Sequence, residues 1–294
     1  MRTAKTVLTV IQERGKQKKP IERVYKLLFN RELYLNAYAK LYPNNGAMTK
    51  GVTDETVDGM SIQKIDRMIE ILREEKYQWK PARREYIKKK NGKKRPLGIP
   101  VWGDKVLQEV MRQILEAYYE PQFSEHSHGF RPNRGCHTAL QEIQVWKGTR
   151  WFIEGDISQY FDTIDHKILL EILARNIHDG RFIRLVSNML EAGYLEEWKF
   201  NQTISGVPQG GVISPILANI YLNEFDNWIE EVLIPKYTKG KRQKSNPEYN
   251  KLTAEIQKLR KEGDAKTAHQ LVVERRKIPV SYTHLRAHET GAYL

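Results

Sequence analysis

Two segments constrain this chain more than anything else in it. WFIEGDISQYFD (151–162) is a short apolar run that delivers a carboxylate, Asp156, with an aromatic, Phe161, five residues beyond it. About fifty residues later, SGVPQGGVISPILANIYLNEFD (205–226) is a glycine-rich turn that runs directly into an apolar helix. A strand apolar through Trp151, Phe152 and Ile153 projects the Asp156 carboxylate from a rigid edge. The glycines at 206, 210 and 211 allow close backbone approach to a ligand, and Gln209 between them offers a side-chain amide. No GxxxxGK occurs, so the turn is not a Walker loop.

A strand-end carboxylate followed by such a turn suits nucleotidyl transfer. That reaction needs two divalent ions about 4 Å apart to activate a hydroxyl and stabilise the leaving pyrophosphate. Mg²⁺ takes hard oxygen ligands, typically one or two carboxylates plus substrate phosphates. An Asp at a strand end is also an ordinary turn or helix cap. That reading suits Asp162 and Asp165 better, since both precede a helix that begins near His166. Phe161 is either a core aromatic or a wall beneath a nucleotide sugar, where it would reject the 2′-hydroxyl. KKKNGKKR (88–95) sits on an expected hairpin turning at Asn91-Gly92, either as a solvated basic turn or as a clamp on a triphosphate. Arg95 can bind phosphate oxygens in bidentate fashion.

Composition narrows the partners. The 294 residues are 40% apolar and 29% charged, which suits a globular chain with a substantial core. No apolar stretch approaches the roughly 20 residues needed to span a bilayer. No cleavable apolar core precedes RGKQKK, and the single cysteine, Cys136, excludes an internal disulfide. The expected setting is therefore a reducing, cytoplasmic compartment, without a membrane partner. Residues 1–100 hold 24 Lys/Arg against 11 Asp/Glu, residues 101–200 hold 11 against 15, and the remainder 14 against 10. A basic front half beside a mildly acidic middle suits a polyanion held next to a metal centre, although a solvated surface gives the same count. The group His126, His128, His137 and Cys136 fits no standard zinc spacing.

Along the chain, helical spacing predicts helices over 21–42, 61–76, 104–119, 136–146, 165–174, 181–190 and 214–232. Hairpins are expected at 84–100 and 193–205, and a strand at 151–156. Residues 43–59 read as a loop, and 237–278 as a strongly charged helical stretch. Mixed helices and antiparallel hairpins predict an α+β fold.

These blocks resemble, in family order, the amino-terminal part of a bacterial group II intron reverse transcriptase, the intron-encoded maturase. The likeness runs over residues 38–279. It rests on NNGAMTKGVTDETVDG, KKKNGKKRPLGIP, FSEHSHGFRPNRGCHTAL, WFIEGDISQYFDTIDH and SGVPQGGVISPILANIYLNEFD. The resemblance implies a right-hand polymerase fold: fingers with an amino-terminal RNA-binding extension over 1–150, the first part of the palm over 151–235, and a charged helical insertion over 236–279. It implies that Asp156 and the Ile157 carbonyl hold catalytic Mg²⁺. Lys89 and Arg95 would meet the triphosphate, Phe161 would read the sugar, and Gln209 would belong to the nucleotide pocket. Lys50, in the loop that holds template, and Arg131 and Arg134 would bind RNA. The implied activity is RNA-directed DNA synthesis together with assisted splicing of the intron. The partners would be intron RNA template, DNA primer or target, and dNTPs; oligomeric state is left open.

The likeness stops at residue 279. Residues 280–294 (VSYTHLRAHETGAYL) are off pattern, as a frameshift or foreign sequence would be, and no Asp follows Asp264. The Tyr-Ala-Asp-Asp turn that completes the two-metal site is absent from this sequence. An RNA-binding fragment without chemistry is therefore the alternative reading. Ile216, Leu217 and Ile220 would lie exposed for want of the rest of the palm. The sequence predicts that this chain alone, given primer, RNA template, Mg²⁺ and dNTPs, makes no product. Template-dependent extension on a denaturing gel would overturn that.

Overall fold

A computed structural model describes residues 3–88, 92, 94–146, 154–197, 199–203, 205–207, 210–237 and 246–278. The described residues form two compact units, one built from those up to 143 together with those in 154–225, the other from 144–146 together with those in 226–278.

The first unit opens with helix α1 (Ala4–Lys16), capped by Thr3, whose side chain accepts the Thr6 N–H. Its buried face is small (Ala4, Ile11 and Gly15), so apolar spacing alone does not reveal it. The single helix expected over 21–42 is interrupted. Ile21–Glu22 form strand β1, Arg23 turns left-handed at φ 55°, Val24–Phe29 wind a 3₁₀ helix, and α2 (Arg31–Leu41) starts afresh. The break lies at Asn30, whose side chain accepts the Glu32 N–H and so favours a helix start over a helix interior. Helix α3 (Ile62–Arg73) begins at the expected cap, with Ser61 accepting the Lys64 N–H.

Strands β2 (Ala82–Lys88) and β3 (Lys94–Ile99) form the expected hairpin, in register from Arg83↔Ile99 to Lys88↔Lys94. Helix α4 (Trp102–Tyr119) is the spine of the unit. It buries Val106, Leu107, Val110, Met111, Ile114, Leu115 and Tyr118 completely. At roughly 1.5–3 kcal/mol for each large apolar side chain taken from water, no other helix of the unit contributes comparably. Helices α1 and α2 pack against it.

Further along come α5 (Cys136–Gln144), the single turn α6 (Tyr160–Thr163) and α7 (His166–Asn176), the last capped by Asp165, which accepts the Ile168 N–H. Strand β4 (Ile177–His178) pairs in parallel with β1. Helix α8 (Gly180–Glu191) is capped by the buried Asp179, which also accepts the Tyr25 N–H at 2.9 Å. Strands β5 (Tyr194–Glu196) and β6 (Lys199–Asn201) complete a four-stranded sheet of order β3-β2-β5-β6. Helix α9 (Ser214–Trp228) follows the glycine-rich turn. Ile216, Leu217 and Ile220 on α9 are buried in the main core, contrary to expectation, because the helix lays this face against the first unit itself.

One expected element, the strand over 151–156, lies only partly within the described residues. Residues 154–157 adopt no regular structure, and 151–153 lie outside the described residues. A strand holds its shape by exchanging hydrogen bonds with a neighbour, and no described strand pairs with this segment.

In the second unit a π-helical turn (Ile229–Leu233) leads into α10 (Ile234–Tyr237), and α11 (Pro247–Glu262) and α12 (Ala265–Arg275) form a helical hairpin. Ile256 and Ala268 are its buried contacts. The Arg275 guanidinium lies 5.1 Å from the Tyr249 ring centroid and donates to the Thr253 hydroxyl at 3.2 Å. Among the described residues no helix is long and apolar enough to cross a membrane.

On α4, the buried Asp104 accepts the Tyr77 hydroxyl at 2.6 Å and the Lys80 N–H at 3.0 Å. Burial nevertheless outweighs both bonds and pushes its carboxyl up to about 6. A folded carboxyl that holds its proton more tightly than the unfolded one favours folding most below the unfolded value, near 4, and that contribution disappears as pH rises through 6. Urea unfolding of the wild type is expected to lose on the order of 2–3 kcal/mol between pH 4 and pH 6 relative to Asp104→Asn. Parallel slopes for the two proteins would refute this.

Candidate active site

The glycine-rich turn is seamed to the segment that follows Asp156. The Gly206 N–H donates to Ile164 O and the Val207 N–H to Phe161 O, both at 2.8 Å. The Ser205 hydroxyl reaches Asp162 O at 3.1 Å, and His166 Nε2 lies 2.7 Å from Gly206 O. Gly206 has φ +87°, and a Cβ there would stand 2.8 Å from Asp162 Cα, Asp162 O and Phe161 O. Only glycine permits that approach. Two segments more than forty residues apart in sequence thus share one backbone seam, with Phe161 on it.

The other side of the turn meets the hairpin. Gly210, at φ +104°, would place a Cβ 2.6 Å from Gly98 O and 2.7 Å from Leu97 Cδ1. Side chains alternate along a strand, so Leu97 and Arg95 project from the same face of β3. Arg95 therefore stands two residues along from the glycine-rich turn, on its side of the sheet. The loop around Lys50 joins the same face: its carbonyl accepts Arg83 Nε at 3.1 Å, and Arg83 is in register with Ile99. The Lys50 ammonium is exposed and paired with Asp54 at 2.8 Å.

Helix α4 braces all three pieces with polar side chains. Gln108, buried, accepts the Val212 N–H at 2.9 Å and holds the end of the glycine-rich turn. Lys105 donates to Gly46 O and Thr49 O at 3.1 and 3.0 Å and holds the Lys50 loop. Asp104, through Lys80 N–H, holds the approach to β2. Sequence periodicity does not reveal these braces, because a polar residue on a buried face breaks the pattern that periodicity reads.

The loop over 124–135 is built from within. Arg131 is buried: its guanidinium donates to Ser124 O, Ser127 O and the Glu120 carboxylate, and its carbon lies 5.3 Å from the Phe123 ring centroid. It holds the loop rather than facing outward. Arg134 is half-buried and donates to Glu125 O. His126 and His128 both bond Glu142 on α5; burial pushes that carboxyl up, but the two histidines together outweigh it and draw it below its ordinary value. Phe130, exposed and left-handed at φ 55°, sets its ring edge-on to Phe161 with 6.2 Å between centroids. The Asn219 amide on α9 fixes the neighbouring Gly129 O at 2.9 Å. Phe130 is a site neighbour that no sequence pattern singled out.

Asp156 and Ile157 are exposed, in the irregular stretch before α6. Lys89 and Gln209 lie outside the described residues. Among the described residues, no group of three or more His, Cys, Asp or Glu could hold a metal ion. Asp156 is one hard-oxygen donor, and one carboxylate does not make the donor set that a pair of Mg²⁺ ions requires.

Residues 87–242 match the family described as reverse transcriptase (RNA-dependent DNA polymerase). The chain belongs to that family. Its curated relatives include group II intron-encoded proteins. It is 45% identical over 266 residues to the group II intron-encoded protein LtrA of Lactococcus lactis subsp. cremoris, covering 87% of this chain and 44% of that protein. It is 43% identical over 288 residues to an uncharacterized 91 kDa protein in the cob intron of Schizosaccharomyces pombe, covering 94% of this chain and 35% of that one. Protein YkfC of Escherichia coli is 39% identical over 241 residues, covering 78% of this chain and 62% of its own. The chain spans less than half the length of the first two. Its mixed helix-and-sheet architecture is that of a reverse transcriptase, as the sequence predicts.

Within the first unit the seam stands or falls with Gly206. Gly206→Ala combines a left-handed backbone with a backbone clash and is expected to cost about 2–4 kcal/mol. Gly135→Ala, whose Cβ meets nothing within 4 Å, is the control. Thermal denaturation of the two variants checks this, and equal melting temperatures would refute it.

Proposed function

We propose that this chain forms the template- and nucleotide-binding part of an RNA-directed DNA polymerase of a group II intron, acting in intron mobility and in assisting splicing of the intron RNA. One observation carries the reading: the glycine-rich turn is seamed to Phe161 on one side and laid on the Arg95 face of the hairpin on the other. That juxtaposition forms a nucleotide pocket from three segments distant in sequence.

The roles follow from chemistry and position. Arg95 and Lys89 neutralise the triphosphate, Arg95 through its planar fork. Phe161, backed by Phe130, stands under the sugar and excludes a 2′-hydroxyl. Gln209 orients the nucleotide from the turn. Lys50 and Arg134 contact template RNA, and Arg131 holds the loop that presents Arg134. Asp156, with the Ile157 carbonyl, is one donor to a Mg²⁺ site whose other carboxylates are not among the described residues. Fingers over 1–150, palm over 151–235 and a charged insertion over 236–279 remain the proposed division. Intron RNA, a DNA primer or target, and dNTPs are the proposed partners.

Among the described residues no metal-binding group includes Asp156, which favours a second reading, in which this chain by itself binds RNA and performs no chemistry. The polymerase reading is tested at Asp156. In a protein of the relatives' full length, Asp156→Ala is expected to lower RNA-templated cDNA synthesis at least about a thousandfold, roughly 4 kcal/mol in the barrier. Undiminished synthesis would end the polymerase reading.

A further inference from the structure

Alternation along β2 and β3 divides the basic hairpin between two faces. Arg95 shares its face with Leu97 and the glycine-rich turn. Lys88 and Lys94 are register partners, so both project from the opposite face. Arg84 and Tyr86 of β2 lie on that second face, with Tyr194 and Glu196 of β5 and Lys199 of β6. The contacts agree with the register. The Arg84 guanidinium carbon lies 3.8 Å from the Tyr194 ring centroid, the Lys94 ammonium lies 6.0 Å from that of Tyr86, and the Tyr86 hydroxyl donates to Glu196.

Two features of this face are left unsatisfied among the described residues. Lysines directly opposite one another in a ladder repel and weaken the pair, yet Lys88 and Lys94 stand so, both exposed. Arg84 Nε is buried and has no hydrogen-bond partner among the described residues. On these strands the face carries four cations (Arg84, Lys88, Lys94 and Lys199) against the single carboxylate of Glu196, which already accepts the Tyr86 hydroxyl. The Tyr86 ring, tethered by its hydroxyl, is 48% exposed.

We propose that this second face binds a single-stranded nucleic acid, with Tyr86 stacking on a base and Lys88, Lys94, Arg84 and Lys199 along the phosphates. A held aromatic ring flanked by cations is how proteins grip unpaired strands, since every base has a face to stack and every linkage a charge. A duplex keeps its bases stacked on one another and leaves the ring without a partner. The inference deepens the RNA-binding part of the proposed function and rests on it. The hairpin then works on both sides, nucleotide on the Arg95 face and unpaired strand on the Lys88 face.

The test measures affinity rather than synthesis, so its failure and that of the Asp156 reading are separable. Fluorescence anisotropy of a short, unstructured, labelled RNA against the 294-residue chain is followed across a salt series. The double variant Lys88→Glu, Lys94→Glu is expected to weaken binding at least about tenfold and to reduce the slope of log affinity against log salt by about two. Tyr86→Ala is expected to weaken it about fivefold or more, while Tyr86→Phe, which keeps the ring, retains most of it. Lys88→Gln, Lys94→Gln removes the charges without adding new ones and guards against misfolding, with melting curves alongside. Wild-type affinity in either lysine double variant, or in Tyr86→Ala, would overturn the proposal. So would equal binding of duplex RNA, or competition by polyglutamate as effective as by RNA, because either would leave charge alone as the recognised feature.

Discussion

The burial of helix α4 is the constraint on which the first unit depends. Seven of its large apolar side chains are wholly removed from water, and their packing fixes the helix against α1 and α2. That rigidity gives its polar side chains a function. Asp104, Lys105 and Gln108 project from a helix that cannot shift, so each hydrogen bond they make sets the position of a distant loop. A buried polar group left without its partner costs far more than a satisfied one returns. The three loops they hold are therefore drawn to single positions, and those loops surround the proposed nucleotide pocket.

The second device is steric. At Gly206 and Gly210 the turn passes so close to the 161–164 segment and to β3 that no side chain fits. Apolar packing alone would allow these segments to slide. A glycine contact combined with backbone hydrogen bonds allows one register only, because moving by one residue would bring a Cβ into a carbonyl. Phe161 takes its place from this seam, and Phe130 takes its place from Phe161. A phenylalanine in a left-handed conformation persists only where its surroundings over-determine it. Here Asn219 fixes Gly129, the residue before it, and the residue after it, Arg131, is anchored by its buried guanidinium. Arg131 thus serves the 124–135 loop from inside, as a scaffold for its neighbours.

Much of the architecture was legible in the sequence. Caps at Ser61 and Asp165, the hairpin around residue 92, and the helix after Ser214-Pro215 are all local signals, and each appears where local chemistry places it. The discrepancies have physical causes. Asn30 divides the helix over 21–42 because its side chain competes for a backbone N–H. Residues 154–157 form no strand because no described strand offers them hydrogen bonds. Ile216, Leu217 and Ile220 are buried because α9 finds its apolar partner in the first unit.

By itself, the sequence determined the family and the chemical repertoire: which blocks occur, in which order, and which residue types could meet metal, sugar and phosphate. Those properties reside in residue identity and spacing, which survive without coordinates. Only the tertiary structure decided which face each group serves. It put Arg95 with the glycine-rich turn and Lys88 with Tyr86, and it turned Arg131 inward. Strand register and long-range backbone contact make those choices, and both depend on residues far apart along the chain, where no local pattern reaches.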